Sequence, residues 1–160
     1  MTKLSDPNTV TNVARKVLTI EADAVSALAA RLDKSFVDAH ELLLNCRARV
    51  VVTGMGKSGH IANKIAATLA STGTPAFFLH PAEASHGDLG MITNDDVVLA
   101  LSNSGESPEI LAFVPFLKRR GIALIAMTGN PHSTMAREAT VHLNTAVEKI
   151  ADFIHPNYHE

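Results

Sequence analysis

Three short segments of this 160-residue chain hold the residue types that handle anions and protons. In Gly54-Met55-Gly56-Lys57-Ser58-Gly59-His60 the glycines let the backbone approach a ligand closely. A helix opening there would present unpaired N–H groups and a positive dipole end, so an anion, phosphate above all, suits the place. The spacing Gly54-x-Gly56-x-x-Gly59 also satisfies a dinucleotide fingerprint, but that reading needs an acid closing the next strand roughly 20 residues on, where Leu79-His80-Pro81 stands. A nucleoside-triphosphate loop would need glycine at 51, and Val51 occupies it.

The second segment, Ser102-Asn103-Ser104-Gly105-Glu106-Ser107, gathers three hydroxyls and an amide around one glycine, a neutral donor cluster matched to several phosphate oxygens. Ser107 also stands where a helix N-cap belongs, a role compatible with binding. The third segment, Pro81-Ala82-Glu83-Ala84-Ser85-His86-Gly87-Asp88-Leu89-Gly90, sets an imidazole between two acids. His86 is the side chain there best suited to proton transfer near neutral pH.

The elements that must carry these segments are legible as alternating patterns. Short β-rich runs, Val50–Val52, Ala76–Leu79, Val97–Leu101, Ile122–Met127 and Val141–Leu143, alternate with helical stretches at Ser58–Ser71, Pro108–Arg120 and Ser133–Ala139. That alternation predicts a parallel α/β sheet whose strands are covered on both faces, with ligands at their carboxyl ends. Two helices precede the sheet. One begins at Asp6-Pro7 and draws an apolar stripe through Val10, Val13, Val17, Ile20, Ala24, Leu28 and Leu32; the other runs from Phe36 to Cys46 behind a capping-box-like pair, Ser35 and Asp38.

Composition excludes several classes of function. At 46% hydrophobic the chain supplies one sizeable core, and 160 residues do not hold two full domains. A formal charge of -2 with scattered basic residues gives no nucleic-acid field. The longest apolar runs fall far short of the roughly 20 residues that span a bilayer. The lone Cys46 cannot form an internal disulfide, which points to a reducing, cytoplasmic setting.

The three segments together closely resemble the arabinose-5-phosphate isomerases, bacterial members of the phosphosugar-binding sugar isomerase (SIS) domain family, over about Val13 to Lys149. The resemblance implies a three-layer α/β/α sandwich with a five-stranded parallel sheet of flavodoxin-type topology. It implies conversion of D-arabinose 5-phosphate to D-ribulose 5-phosphate for the lipopolysaccharide sugar Kdo, without metal or redox cofactor, in a homo-oligomer, a tetramer or dimer. Position by position it assigns phosphate binding to Gly56, Ser58, Ser102, Asn103, Ser104 and Ser107, and active-site roles to Lys57, His86 and Glu109. Family members continue past the fifth strand with a catalytic glutamate, a further helix and a CBS module. Here Ile150 falls at the glutamate's place and the sequence stops at Glu160, so the resemblance implies a short form that binds phosphosugar better than it isomerises it, with a non-catalytic phosphosugar-binding module as the alternative.

Overall fold

The computed structural model describes residues 6–84 and 87–149, of Asp88 the backbone alone. It divides into two units, one formed by Met1–Leu32 with Val147–Glu160 and the other by Asp33–Ala146. The first contains α1, Pro7–Ala29, which starts where Asp6 accepts a hydrogen bond from the Thr9 amide and Pro7 takes the first turn. Of its expected stripe, Val13, Val17, Ile20 and Ala24 are half-buried, whereas Val10, Leu28 and Leu32 are exposed and Leu32 lies beyond the helix end.

The second unit is a five-stranded, fully parallel sheet in the order β2-β1-β3-β4-β5. Its strands are β1 (Val50–Gly54), β2 (Ala76–Leu79), β3 (Val97–Leu101), β4 (Ala123–Thr128) and β5 (Val141–Asn144). Because strand side chains alternate between faces, the continuous valines and leucines feed two separate cores. Val51, Val98, Ala100, Leu124 and Ala126 pack with α4 (Pro81–Ala84), α5 (Pro108–Leu111), α6 (Val114–Arg120) and α7 (Thr134–Glu138). Val50, Val52, Val97, Leu99 and Ile125 pack with α2 (Lys34–Leu44) and α3 (Gly56–Ser71). Three layers result, as the apolar runs required. Each fully buried valine or leucine contributes about 1.5–3 kcal/mol of transfer free energy, so the central strands anchor everything hung on their ends.

Two expected elements are corrected. The helix expected over Pro108–Arg120 is two helices, because Pro115 has no N–H for the carbonyl four residues back and its ring clashes there. Helix α2 is capped by Asp33, which accepts from the Ser35 amide at 2.9 Å. Asp38 instead pairs with Lys34 one turn back. At the amino ends of β1 and β3 lies a buried acid, Asp96, whose carboxylate accepts from the Arg49 amide at 2.8 Å and the Thr93 amide at 2.6 Å. The Arg49 guanidinium reaches the same carboxylate at 3.4 Å, donates to the Met91 carbonyl at 2.6 Å and lies 4.8 Å from the Phe77 ring centre. Burial raises the Asp96 pKa, yet the hydrogen bonds from Thr93 and Arg49 outweigh it and hold the carboxyl below its ordinary range.

The strand order fixes where a ligand can sit. From β1 the chain moves outward to β2 and then returns past β1 to β3, so the connections leaving the adjacent strands β1 and β3 diverge. Helix α3, after β1, covers one face; α5 and α6, after β3, cover the other. The crevice opened at their carboxyl ends is the switch point at which open α/β sheets bind ligands.

Candidate active site

The first loop leaves β1 at Gly54 and enters α3 at Gly56. A Cβ on Gly59 would stand 2.6 Å from the Gly54 carbonyl oxygen, and one on Gly54 would stand 2.9 Å from the Ser58 carbonyl. Both positions therefore have to be glycine for the turn to close this tightly. Met55 holds the N-cap position without any side-chain hydrogen bond, so the first-turn amides of α3 are left for an external anion. Gly56, with φ of +53°, stands beside open space; Lys57 is exposed and Ser58 half-buried next to it.

The second loop begins one rung away, because Gly54 of β1 is paired in register with Leu101 of β3. Ser102 is buried and turned into its own loop, where its Oγ accepts from the Gly105 amide at 3.1 Å. Ser104 Oγ accepts from the Glu106 amide at 3.2 Å, which leaves its own proton to donate outward. Asn103 and Ser104 are exposed toward solvent. Ser107 occupies the N-cap position of α5 but makes no capping bond; its hydroxyl donates instead to Glu109 Oε2 at 2.9 Å.

This loop is braced from β4. Ser102 N–H donates to the Met127 carbonyl at 3.1 Å, and Gly129 N–H donates to the Asn103 carbonyl at 2.9 Å. A Cβ on Gly129 would meet Asn103 Oδ1 at 2.6 Å and the Asn103 carbonyl oxygen at 3.2 Å, so a larger residue there would have to displace the Asn103 side chain. Thr128 Oγ1 bonds both the carbonyl and the amide of Asn130 and lies 2.8 Å from His142 Nε2 on β5. Burial holds the His142 ring below the usual histidine pKa, which keeps it neutral at that contact.

Beside the crevice stands Glu109, half-buried in the first turn of α5. Its own backbone amide and then the Ser107 hydroxyl hold the carboxyl below the usual glutamate range, so it is ionised at neutral pH and equipped to accept a proton. His80 follows β2 directly, and its Nδ1 accepts from the Ala82 amide at 3.3 Å. That bond puts the proton of the neutral ring on Nε2. Of the third segment, Glu83 is exposed on α4, while Ser85 and His86 lie outside the described residues. Lys57, Glu109 and the two loops are thus carried by the ends of β1 and β3, as expected. Among the described residues no cluster of three or more His, Cys, Asp or Glu side chains could hold a metal ion. No helix among them is long and apolar enough to cross a membrane.

The model of the SIS domain matches residues 42–157, the sheet and both loops included. The chain belongs to the SIS domain family. It is 63% identical over 134 residues to the arabinose 5-phosphate isomerase KdsD of Pseudomonas aeruginosa, which covers 84% of this chain and 41% of that protein. Its identity to KdsD of Escherichia coli K12 is 56% over 137 residues, 86% of this chain and 42% of that protein. The chain thus spans about two fifths of the length of the curated relatives it matches. Among solved structures it is similar to E. coli CFT073 c3406 in complex with arabinose 5-phosphate, with a TM-score of 0.86 at 42% identity, over 92% of this chain and 78% of that one. A putative sugar-phosphate isomerase of Listeria monocytogenes gives a TM-score of 0.87 at 32% identity, over 92% of this chain and 78% of that one.

Three residues of this SIS domain escaped the sequence reading. His80 stood out only as the place where a dinucleotide fold would carry an acid, although a histidine ending a strand beside a switch point is a signal in itself. Thr128 and His142 bond each other between strands 26 and 40 residues beyond Ser102, a relation visible only once β4 and β5 are placed.

Proposed function

We propose that this chain is the isomerase domain of an arabinose-5-phosphate isomerase, interconverting D-arabinose 5-phosphate and D-ribulose 5-phosphate for Kdo and lipopolysaccharide synthesis, in the cytoplasm and as a homo-oligomer, with no cofactor. The observation that carries this reading is the pairing of Gly54 with Leu101, which sets an open helix end and a hydroxyl-rich loop on adjacent rungs, with an ionised glutamate at the margin. The kinship with KdsD proteins and with the c3406 structure, which holds arabinose 5-phosphate, supports the same substrate. Exposed Val10, Leu18, Val25 and Leu28 on α1 support self-association.

In this reading the phosphate sits between the first-turn amides of α3, with Gly56 and Ser58, and the second loop, where the side chains of Ser102, Asn103 and Ser104 and the backbone amide of Ser107 donate while the Ser107 hydroxyl stays on Glu109. Binding energy from the phosphate holds the opened sugar against Glu109. The Glu109 carboxylate removes the proton from C2 of the aldose while the carbonyl oxygen at C1 gains a proton, which leaves a 1,2-enediol. Return of a proton to C1 and loss of the O2 proton give the 2-ketose. Lys57 stabilises the enediolate charge as it develops, and His80 and His86 shuttle protons between the two oxygens.

The test is incubation of purified protein with D-ribulose 5-phosphate in deuterated water, followed by separation of the pentose phosphates. Arabinose 5-phosphate carrying solvent deuterium at C2 is expected, with turnover lost in Lys57→Ala and Glu109→Gln. Tight binding with no exchange at C1 or C2 would assign the chain to the non-catalytic phosphosugar-binding class instead.

A further inference from the structure

Glu106 is the one acid in the second loop, two residues from Ser104 and next to Ser107. A free carboxylate there would repel the dianion that the loop is built to hold. Its place in the structure removes that conflict. Glu106 Oε1 accepts from the Thr134 amide at 2.7 Å, and Thr134 is the first residue of α7. The next amide, Met135, donates to the Gly105 carbonyl at 3.0 Å, and the one after, Ala136, donates to Ser133 Oγ at 3.3 Å. All three otherwise unpaired donors of this short helix are therefore taken, two of them by the loop. Gly105 allows the approach: with φ of +67°, a Cβ on it would stand 2.1 Å from Ser133 Oγ. Helix α7 follows β4, on the side of β3 away from β1, and packs in the core on the face opposite α3. The carboxylate is thereby drawn away from the crevice, into the field of Arg137, whose guanidinium donates to the Thr134 hydroxyl at 3.3 Å.

We propose that Glu106 is a positioning residue of the phosphate loop, acting as a hydrogen-bond acceptor for α7 that fixes the peptide units between Ser104 and Ser107, and not as a charge offered to substrate. This rests on the reading of that loop as the phosphate grip. What is required of residue 106 is then an oxygen at the reach of a glutamate side chain. Glutamine supplies that oxygen without the charge, and alanine supplies neither.

The experiment compares the full chain with Glu106→Gln and Glu106→Ala. Inorganic phosphate and D-arabinose 5-phosphate are titrated by calorimetry, and amide hydrogen exchange of Gly105 and Thr134 is followed without ligand. Glu106→Ala is expected to bind phosphate about tenfold more weakly, about 1.4 kcal/mol, with faster exchange at Thr134. Glu106→Gln is expected to keep the exchange protection and to bind phosphate at least as tightly as the wild type, since a like charge has been removed. A merely structural role would lower the melting point without dividing the two variants in affinity. Equal affinity in the wild type and Glu106→Ala overturns the proposal, and so does a loss in Glu106→Gln as large as that in Glu106→Ala. No phosphate binding by the wild type overturns the reading of the loop itself, and the exchange data then report the brace separately.

Discussion

Thr53 lies near the carboxyl end of β1, an interior strand of the sheet, wholly buried, and its hydroxyl finds no hydrogen-bond partner among the described residues. Its register partners are Leu79 and Ala100, both apolar, and it shares the face of Val51 against the core of Ile110 and Phe113. An unpaired buried hydroxyl costs about 1–3 kcal/mol. Valine has nearly the same shape and replaces the hydroxyl with a methyl group whose burial adds about 0.8 kcal/mol. Thr53→Val should therefore stabilise the protein by about 2–4 kcal/mol, against the destabilising sign of most core substitutions. At this chain length that corresponds to a rise of about 2–4 °C in melting point per kcal/mol. Urea denaturation should show a higher midpoint at an unchanged slope. Thr53→Ser, which keeps the hydroxyl and loses the methyl group, should move the other way by about 1 kcal/mol. A Thr53→Val protein no more stable than the wild type would show that the hydroxyl is satisfied, and the inference from its isolation would fail.

Asp96→Ala removes the acceptor of two strand-end amides and should cost about 2–4 kcal/mol at neutral pH, read by urea denaturation. Because the folded carboxyl lies below its ordinary value of 3.8, its contribution is whole above that pH and fades as pH falls through the folded value, so the gap between wild type and variant should narrow in acid. Gly59→Ala drives a Cβ into the Gly54 carbonyl oxygen and should cost about 1–3 kcal/mol and weaken phosphate binding, checked by calorimetry on the folded fraction. Ser107→Ala removes a hydrogen bond that holds Glu109 ionised, so the acid limb of the isomerisation profile should shift toward higher pH; an unmoved limb would take Glu109 out of the proton transfer.

The strands were legible to within two residues because a strand covered on both faces has to be apolar throughout, and Val50–Val52 and Val97–Leu101 show that plainly. The two loops were legible because close approach at Gly54 and Gly59 in the first, and a positive φ at Gly105 in the second, favour one residue type. The break between α5 and α6 was masked: Ile110, Phe113, Val114 and Leu117 keep a helical period through Pro115, so periodicity hid the missing amide. Asp33 was passed over as a cap because Ser35 and Asp38 offered a familiar spacing, whereas the carboxylate two residues earlier reaches the Ser35 amide first. The bond from Thr134 to Glu106 spans 28 residues and depends on where α7 lands, which no local pattern encodes.

The register that sets Gly54 beside Leu101 has a consequence for metabolic selectivity. Neighbouring strands are held about 4.8 Å apart by their hydrogen bonds, so the roots of the two loops proposed as the phosphate grip stand at a fixed spacing whatever sugar is attached. Such a grip recognises what all sugar phosphates have in common. On the proposed reading, pentose and hexose phosphates would compete for it, a competition that calorimetry with several sugar phosphates would measure. Discrimination would then arise later, in how well each opened sugar presents C2 to the proposed base Glu109, and so in turnover more than in binding. In a cell rich in phosphorylated sugars, an enzyme built this way would be throttled by its neighbours' metabolites before it was misled by them.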